Sequence, residues 1–158
     1  MMIRLSTPED ASSIWQLIEQ QLDEMGAETR QAFDAQRVWH HLQALWRDQP
    51  NTHRLWVALT HEGSVVGILL GTLQAYYWRS GHQAQVVHWY VRPDSRGSSA
   101  AMRLLLAYVA WAQQKHSQEI MVGITSGIAP EKSHRLLARM GFVCMGRNYL
   151  RSGLCKSH

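Results

Sequence analysis

Apolar residues along the chain repeat with two alternating periods, and these predict its elements. Ile3 to Leu5 is a short apolar start that reads as a first strand. Thr7, Pro8 and Asp10 then form a helix-start signature, with Thr7 as cap, Pro8 as first helical residue and Asp10 as capping-box partner. Ile14, Leu17, Ile18, Leu22 and Met25 follow at helical spacing, and Gly26 ends that helix. A second helix runs from about Asp34 to Arg47, with Val38, Leu42, Leu45 and Trp46 on one face. Leu55–Leu59 and Val65–Ala75 read as two strands joined by the turn His61-Glu62-Gly63-Ser64. The loop Tyr76–His82 leads to a strand at Gln85–Val91 and a helix from about Ser98 to Gln114. Glu119–Thr125 reads as a strand and Pro130–Met140 as a helix closed by Gly141, with Val143–Leu150 as the last strand. The order is β-α-α-β-β-β-α-β-α-β. It predicts an α/β (α+β) fold, a mixed, mostly antiparallel sheet flanked by helices. The Gln85–Val91 and Glu119–Thr125 strands should lie parallel across their helix. No linker or repeat interrupts the pattern, so residues 1–158 are expected to form one domain.

Composition narrows the class. Hydrophobic residues make up 46% and charged residues 18% of 158 residues, as in ordinary globular chains. The first ten residues lack the apolar core of a signal peptide, and no apolar run reaches the ~20 residues of a membrane span. A cytoplasmic protein without membrane contact is expected. The net charge of +4 is a mild excess that suits a phosphate-bearing cofactor without demanding a nucleic acid. Cys144 reads as a small buried hydrophobe in the last strand, and Cys155 as a free thiol in a polar tail. No metal site is expected: His40 and His41 are adjacent, and His61-Glu62 lacks a second histidine one turn on.

One stretch carries chemistry. A β-branched run ends at Val91, and Arg96-Gly97-Ser98-Ser99-Ala100-Ala101 then opens an apolar helix. The first N–H groups of a helix lack internal partners and lie at the positive end of its dipole, so an anion binds there if the side chains are small. Arg92, Arg96 and Arg103 add positive charge. Spacing alone equally admits a well-capped helix packed on a sheet. Neither a P-loop nor a dinucleotide fingerprint is present.

Val91 to Leu105 resembles motif A of the GNAT superfamily of N-acetyltransferases, whose pattern is V-x-P-x-x-[R/Q]-G-x-G-x-[G/A]-x-x-L-L. Arg96 falls on the Arg/Gln position and Ala101 on the last Gly/Ala. Leu136 to Phe142, "LLARMGF", resembles the helix-Gly-Phe ending of motif B. Ser99 replaces the central glycine of motif A. The resemblance implies acetyl-CoA as cofactor, its pyrophosphate on the backbone of Arg96, Gly97, Ser98, Ser99, Ala100 and Ala101. Its pantetheine arm would follow Gln85–Val91, with the Val91 N–H facing the acetyl carbonyl. His88 stands where many relatives place a glutamate and is the candidate base; a structural strand histidine is the other reading. Tyr90 shares its face and either positions substrate or packs. Many relatives carry a tyrosine acid where Leu137 stands here. Tyr108, Tyr149, Ser133 and His134 are alternative sources for that role, and none is assigned.

The activity implied is direct transfer of an acetyl group to an amine of a small molecule or peptide. The acceptor side is expected at Gln21–Phe33, with Asp23, Glu24 and Glu28, and at the Tyr76–His82 loop. Relatives often dimerise, so a homodimer is open. A GNAT-fold binding module acting through protein or nucleic-acid contacts is the competing reading, supported by Leu137, Ser99 and the basic residues Arg147, Arg151 and Lys156.

Overall fold

Five strands form one sheet in the order β1-β2-β3-β4-β5: β1 (Met2–Leu5), β2 (His53–Leu59), β3 (Val65–Ala75), β4 (His82–Val91) and β5 (Glu119–Met121). The first four pair antiparallel, and β5 joins β4 in parallel. The helices are α1 (Ala11–Met25), α2 (Ala27–Ala32), α3 (Ala35–Asp48), α4 (Ala100–Gln114) and α5 (Pro130–Arg139). This computed structural model describes residues 1–146, 148–151 and 153. Two compact units are distinguished, Met1–Gly123 and Ile124–His158. The sheet and α1 to α4 belong to the first.

Local chemistry explains why the elements start where they do. Thr7 N–H donates to the Asp10 carboxylate at 2.8 Å, completing the expected cap before α1. Arg4 on β1 grips the same carboxylate through two hydrogen bonds of 2.7 and 2.8 Å. That buried aspartate therefore ties the first strand to the first helix, and Arg4 beside it holds its carboxyl below the usual range. Gly26, at φ +100°, ends α1. The Asp34 side chain accepts the Arg37 N–H at 2.9 Å and starts α3.

The two faces of the sheet are covered differently. Gly67 and Gly71 of β3 lie under α4. A Cβ on Gly71 would sit 2.8 Å from Tyr108 Cδ2, and one on Gly67 would sit 3.2 Å from Leu104 Cδ1. These glycines let α4 press its Leu104, Tyr108 and Trp111 row onto the strands. Trp56 of β2 completes that face with ring centroids 6.5 Å from Tyr108 and 5.5 Å from Trp111. α1 reaches the other face of β4, where its side chains hydrogen-bond His88 and Tyr90.

Most sequence boundaries hold within two or three residues, and the differences have physical causes. The short helix α2 was not expected, because its six residues carry no apolar period. β5 ends at Met121 rather than Thr125, just before Gly123 weakens the strand. The expected strand at Val143–Leu150 is absent among the described residues. Gly146 cuts its apolar run to three residues, and Val143, Met145, Tyr149 and Leu150 are all exposed. Cys144 is consequently exposed rather than buried. Cys155, Arg147 and Lys156 lie outside the described residues. In the second unit α5 closes as expected, with Gly141 at φ +85° and the Phe142 N–H donating to the Leu137 carbonyl at 3.0 Å.

Gly71→Ala should destabilise the protein by about 1–3 kcal/mol, because the new methyl must displace the buried Tyr108 ring. A urea midpoint equal to that of the wild type would show that α4 has room to move away.

Candidate functional site

The site begins with a strand that outruns its neighbour. β4 pairs with β5 only at Gln83, Ala84 and Gln85, yet β4 continues to Val91. Pairing with β3 persists along the whole length. Between Gln85 and His88 the β3–β4 register slips: Gly71 faces Val86 while Leu70 faces His88. Val87 is the extra residue, bulged and 60% exposed. A bulge bends and twists the strand that carries it. β4 is therefore free of β5 from Val86 onward, and among the described residues no strand pairs with the edge it presents there.

The far end of this edge is chemically marked. The Arg92 N–H donates to Val66 O on β3 at 2.9 Å. Peptide groups alternate along a strand, so the Val91 N–H and C=O face the open side. The carbonyl is taken by Arg96 Nε at 2.9 Å, and the N–H has no acceptor among the described residues.

The next turn places small residues at the start of α4. Gly97 has φ +104°, with open space where a Cβ would be. The Ser98 hydroxyl donates to Ser95 O at 2.7 Å and accepts the Ala100 N–H at 3.2 Å. The N–H groups of Ser99, Ala101 and Met102 have no acceptor among the described residues, and neither does the Ser99 hydroxyl. Free backbone donors at the start of a helix are suited to receive an anion. The neighbouring arginines contribute less than their number suggests. Arg92 pairs with Asp94 at 2.8 Å, and Arg103 donates to Met1 O at 2.7 Å.

Arg96 proves to be a connector. Its guanidinium grips Glu24 of α1 through bonds of 2.7 and 2.6 Å, and lies 5.3 Å from the centroid of the Tyr90 ring. The Tyr90 hydroxyl donates to the same Glu24 at 2.5 Å. Arg96 lowers the Glu24 carboxyl pKa. Burial and the Glu24 carboxylate push the Tyr90 phenol up, so Tyr90 stays protonated. One turn earlier on α1, Gln21 Oε1 meets His88 Nε2. Residues three apart on a helix thus match residues two apart on a strand. His88 and Tyr90 share a face as alternation requires. Burial lowers the His88 pKa from 6.5 to about 4, so the imidazole is neutral near pH 7. Sequence reading missed the Gln21 and Glu24 contacts, because nothing local couples α1 to a strand some 65 residues on.

The other candidates are placed as follows. Asp23 pairs with Arg30, which also reaches Glu19 at 3.1 Å. Tyr76 is buried and donates to Glu119 at 2.5 Å, and Arg79 stacks on it and bonds Gln118. Tyr77 and Trp78 are left exposed at that hairpin tip. Tyr108 is fully buried with its hydroxyl on Met121 O at 2.9 Å, and burial raises its pKa, so it is no proton donor to a substrate. Ser133, His134 and Leu137 lie on α5 of the second unit, and Tyr149 is exposed. No group of three or more His, Cys, Asp or Glu residues that could hold a metal occurs among the described residues. No described helix is long and apolar enough to cross a membrane.

The neutral His88 has a stability signature. Below its unfolded pKa of about 6.5 the unfolded chain binds a proton that the folded ring refuses until about 4. Its contribution is intact above that window and is lost as pH falls through it, by on the order of 2–3 kcal/mol at the bottom. Urea midpoints of the wild type and His88→Gln should therefore converge as pH falls from about 7.5 to about 4.5. A constant gap between them would show that the ring is not desolvated.

Comparison with known proteins places this geometry. The family model described as "Acetyltransferase (GNAT) family" matches residues 13–142. No curated protein gives a significant match. Among solved structures, the tetramutant of the BH1408 protein from Bacillus halodurans is 14% identical with a TM-score of 0.77, covering 96% of this chain and 99% of that one. The ribosomal-protein-alanine N-acetyltransferase from Brucella melitensis biovar Abortus 2308 is 17% identical with a TM-score of 0.68, covering 96% and 99%. The aminoglycoside N-acetyltransferase AAC(6')-Iy, solved with CoA, is 15% identical with a TM-score of 0.70, covering 98% and 100%. At such identities these likenesses show the fold. The family match spans most of the sequence and takes in the open β4 edge and the small-residue turn: the chain belongs to the GNAT family of acetyltransferases.

Proposed function

We propose that the chain, acting as one domain, transfers an acetyl group from acetyl-CoA directly to an amine of a small molecule or peptide. The observation that carries this is the free edge of β4 beyond Gln85, which ends at the backbone donors of the turn. The donors fit the cofactor: an extended amide-bearing arm matches an unpaired strand edge, and a pyrophosphate matches a cradle of N–H groups with small side chains. When bound, acetyl-CoA supplies the thioester, and the C–S bond breaks as the acceptor nitrogen forms the C–N bond.

Each residue of the chain then has a task. Gly97, Ser98, Ser99, Ala100 and Ala101 offer small surfaces to the phosphates, the N–H groups of Ser99, Ala101 and Met102 donate to them, and the free Ser99 hydroxyl adds a donor where motif A has glycine. Arg96 holds the turn against α1 through Glu24 and fixes the Val91 carbonyl. The Val91 N–H, facing the open side, donates to the acetyl oxygen as it gains charge. His88, neutral near pH 7, accepts the proton that the acceptor nitrogen sheds as it is acylated. A base this weak passes the proton on to water rather than storing it. Tyr90, protonated and anchored on Glu24, positions the substrate beside His88.

The acceptor's class follows from two supports. The fold neighbours include, by name, an enzyme for aminoglycosides and one for a ribosomal-protein alanine, both amine acceptors. Of the acidic residues on this side, Asp23 and Glu24 are already paired with Arg30 and Arg96, which leaves Glu28 of α2 as the carboxylate offered to a cationic amine.

Calorimetric titration with acetyl-CoA should give a micromolar Kd, and Ala101→Glu should abolish it while the melting temperature holds. Normal affinity in that variant would show that the phosphates lie elsewhere. His88→Gln should lower kcat by roughly 10²-fold with acetyl-CoA affinity retained. An unchanged rate would remove His88 from the chemistry.

A further inference from the structure

We propose that Gln21 is a positioning residue: its amide oxygen fixes the proton of His88 on Nε2 and leaves Nδ1 as the atom that takes the proton from the acceptor amine. This rests on the proposed role of His88 as base. It adds which nitrogen acts and which residue decides it.

The argument is one of donors and acceptors. With Gln21 presenting its amide oxygen to the ring, the ring nitrogen that faces it donates. A neutral imidazole has one N–H, and with that proton on Nε2 the lone pair is on Nδ1. No hydrogen bond to Nδ1 is made among the described residues. The surroundings offer no competing partner. β3 presents Leu70 opposite His88 and Ile68 opposite Tyr90. The Glu24 carboxylate is engaged by Tyr90 and Arg96. The titratable or charged groups on this face are Tyr90, Glu24 and Arg96, with Asp23 near enough to act on Tyr90, and none is hydrogen-bonded to the ring.

The choice of glutamine has a consequence that a glutamate would not share. A carboxylate at position 21 would orient the ring in the same way but would also favour the imidazolium, raising its pKa. Glutamine orients without charging, so the ring stays an acceptor across the neutral range. The proton balance is simple. The amine N–H bond breaks, the proton joins Nδ1 and gives an imidazolium protonated on both nitrogens, and Nδ1 returns it to water.

The test exchanges acceptor for donor at similar length. Gln21→Glu keeps an acceptor; Gln21→Lys offers only donors. With histidine labelled by 15N, NMR of the wild type at neutral pH should show the His88 proton on Nε2. Gln21→Glu should retain that tautomer and, at alkaline pH, a rate within a few-fold of wild type. Gln21→Lys should move the proton to Nδ1 and lower kcat by about 10²-fold, approaching His88→Gln, with acetyl-CoA affinity unchanged. A wild-type ring protonated on Nδ1 overturns the assignment without any variant. A Gln21→Lys enzyme with wild-type rate, alongside an inactive His88→Gln, overturns the role of Gln21 alone. Full activity in His88→Gln overturns the underlying reading of the base.

Discussion

The site depends on one constraint: β4 must be paired along its whole length on one side and released on the other. β3 supplies the continuous partner. The bulge at Val87 supplies the release, because it bends β4 just after its last contact with β5 at Gln85. Without a firm partner on one side, an unpaired strand of six residues would not hold its line. Gly71 stands opposite the bulge, and Tyr108 presses on it from α4 while its hydroxyl holds the Met121 carbonyl at the end of β5. The helix thus braces the strand that bends and anchors the strand that stops.

The second organising contact is ionic. Arg96 begins in the turn that leads to α4, yet its guanidinium belongs to Glu24 of α1. Its partial exposure keeps the energetic worth of this pair modest, although two hydrogen bonds fix its geometry. Its value lies in position. Glu24 also holds Tyr90, and Arg96 also holds the Val91 carbonyl. Strand end, turn and helix end are therefore tied at one carboxylate.

Much of this was legible in the chain. The period-two and period-3.6 runs fixed β1 to β4 and α1, α3 and α4 within a few residues, because each buries one face and so must alternate. The small-residue turn was visible since glycine and serine cluster where backbone is to be approached. The His88 and Tyr90 pairing followed from strand parity. The illegible parts share a cause. The Gln21 and Glu24 contacts join residues 66 or more apart, and only the packed structure brings them together. The Val87 bulge breaks parity without a glycine to announce it. The Val143–Leu150 run looks like a strand by composition, but a strand exists only where an edge receives it, and the residues of that run leave their apolar side chains exposed.

Val87 also bears on how such a sheet can vary. It is a surplus residue: those on either side keep step with β3 independently of it. Loss of its single codon would leave His88, Tyr90, Gln85 and Gln83 on their present faces and every ladder with β3 intact, while straightening β4 toward β5. Fold and site are thus encoded separately here. A length change of one residue there would remove the bend in β4 without altering any side chain of the core.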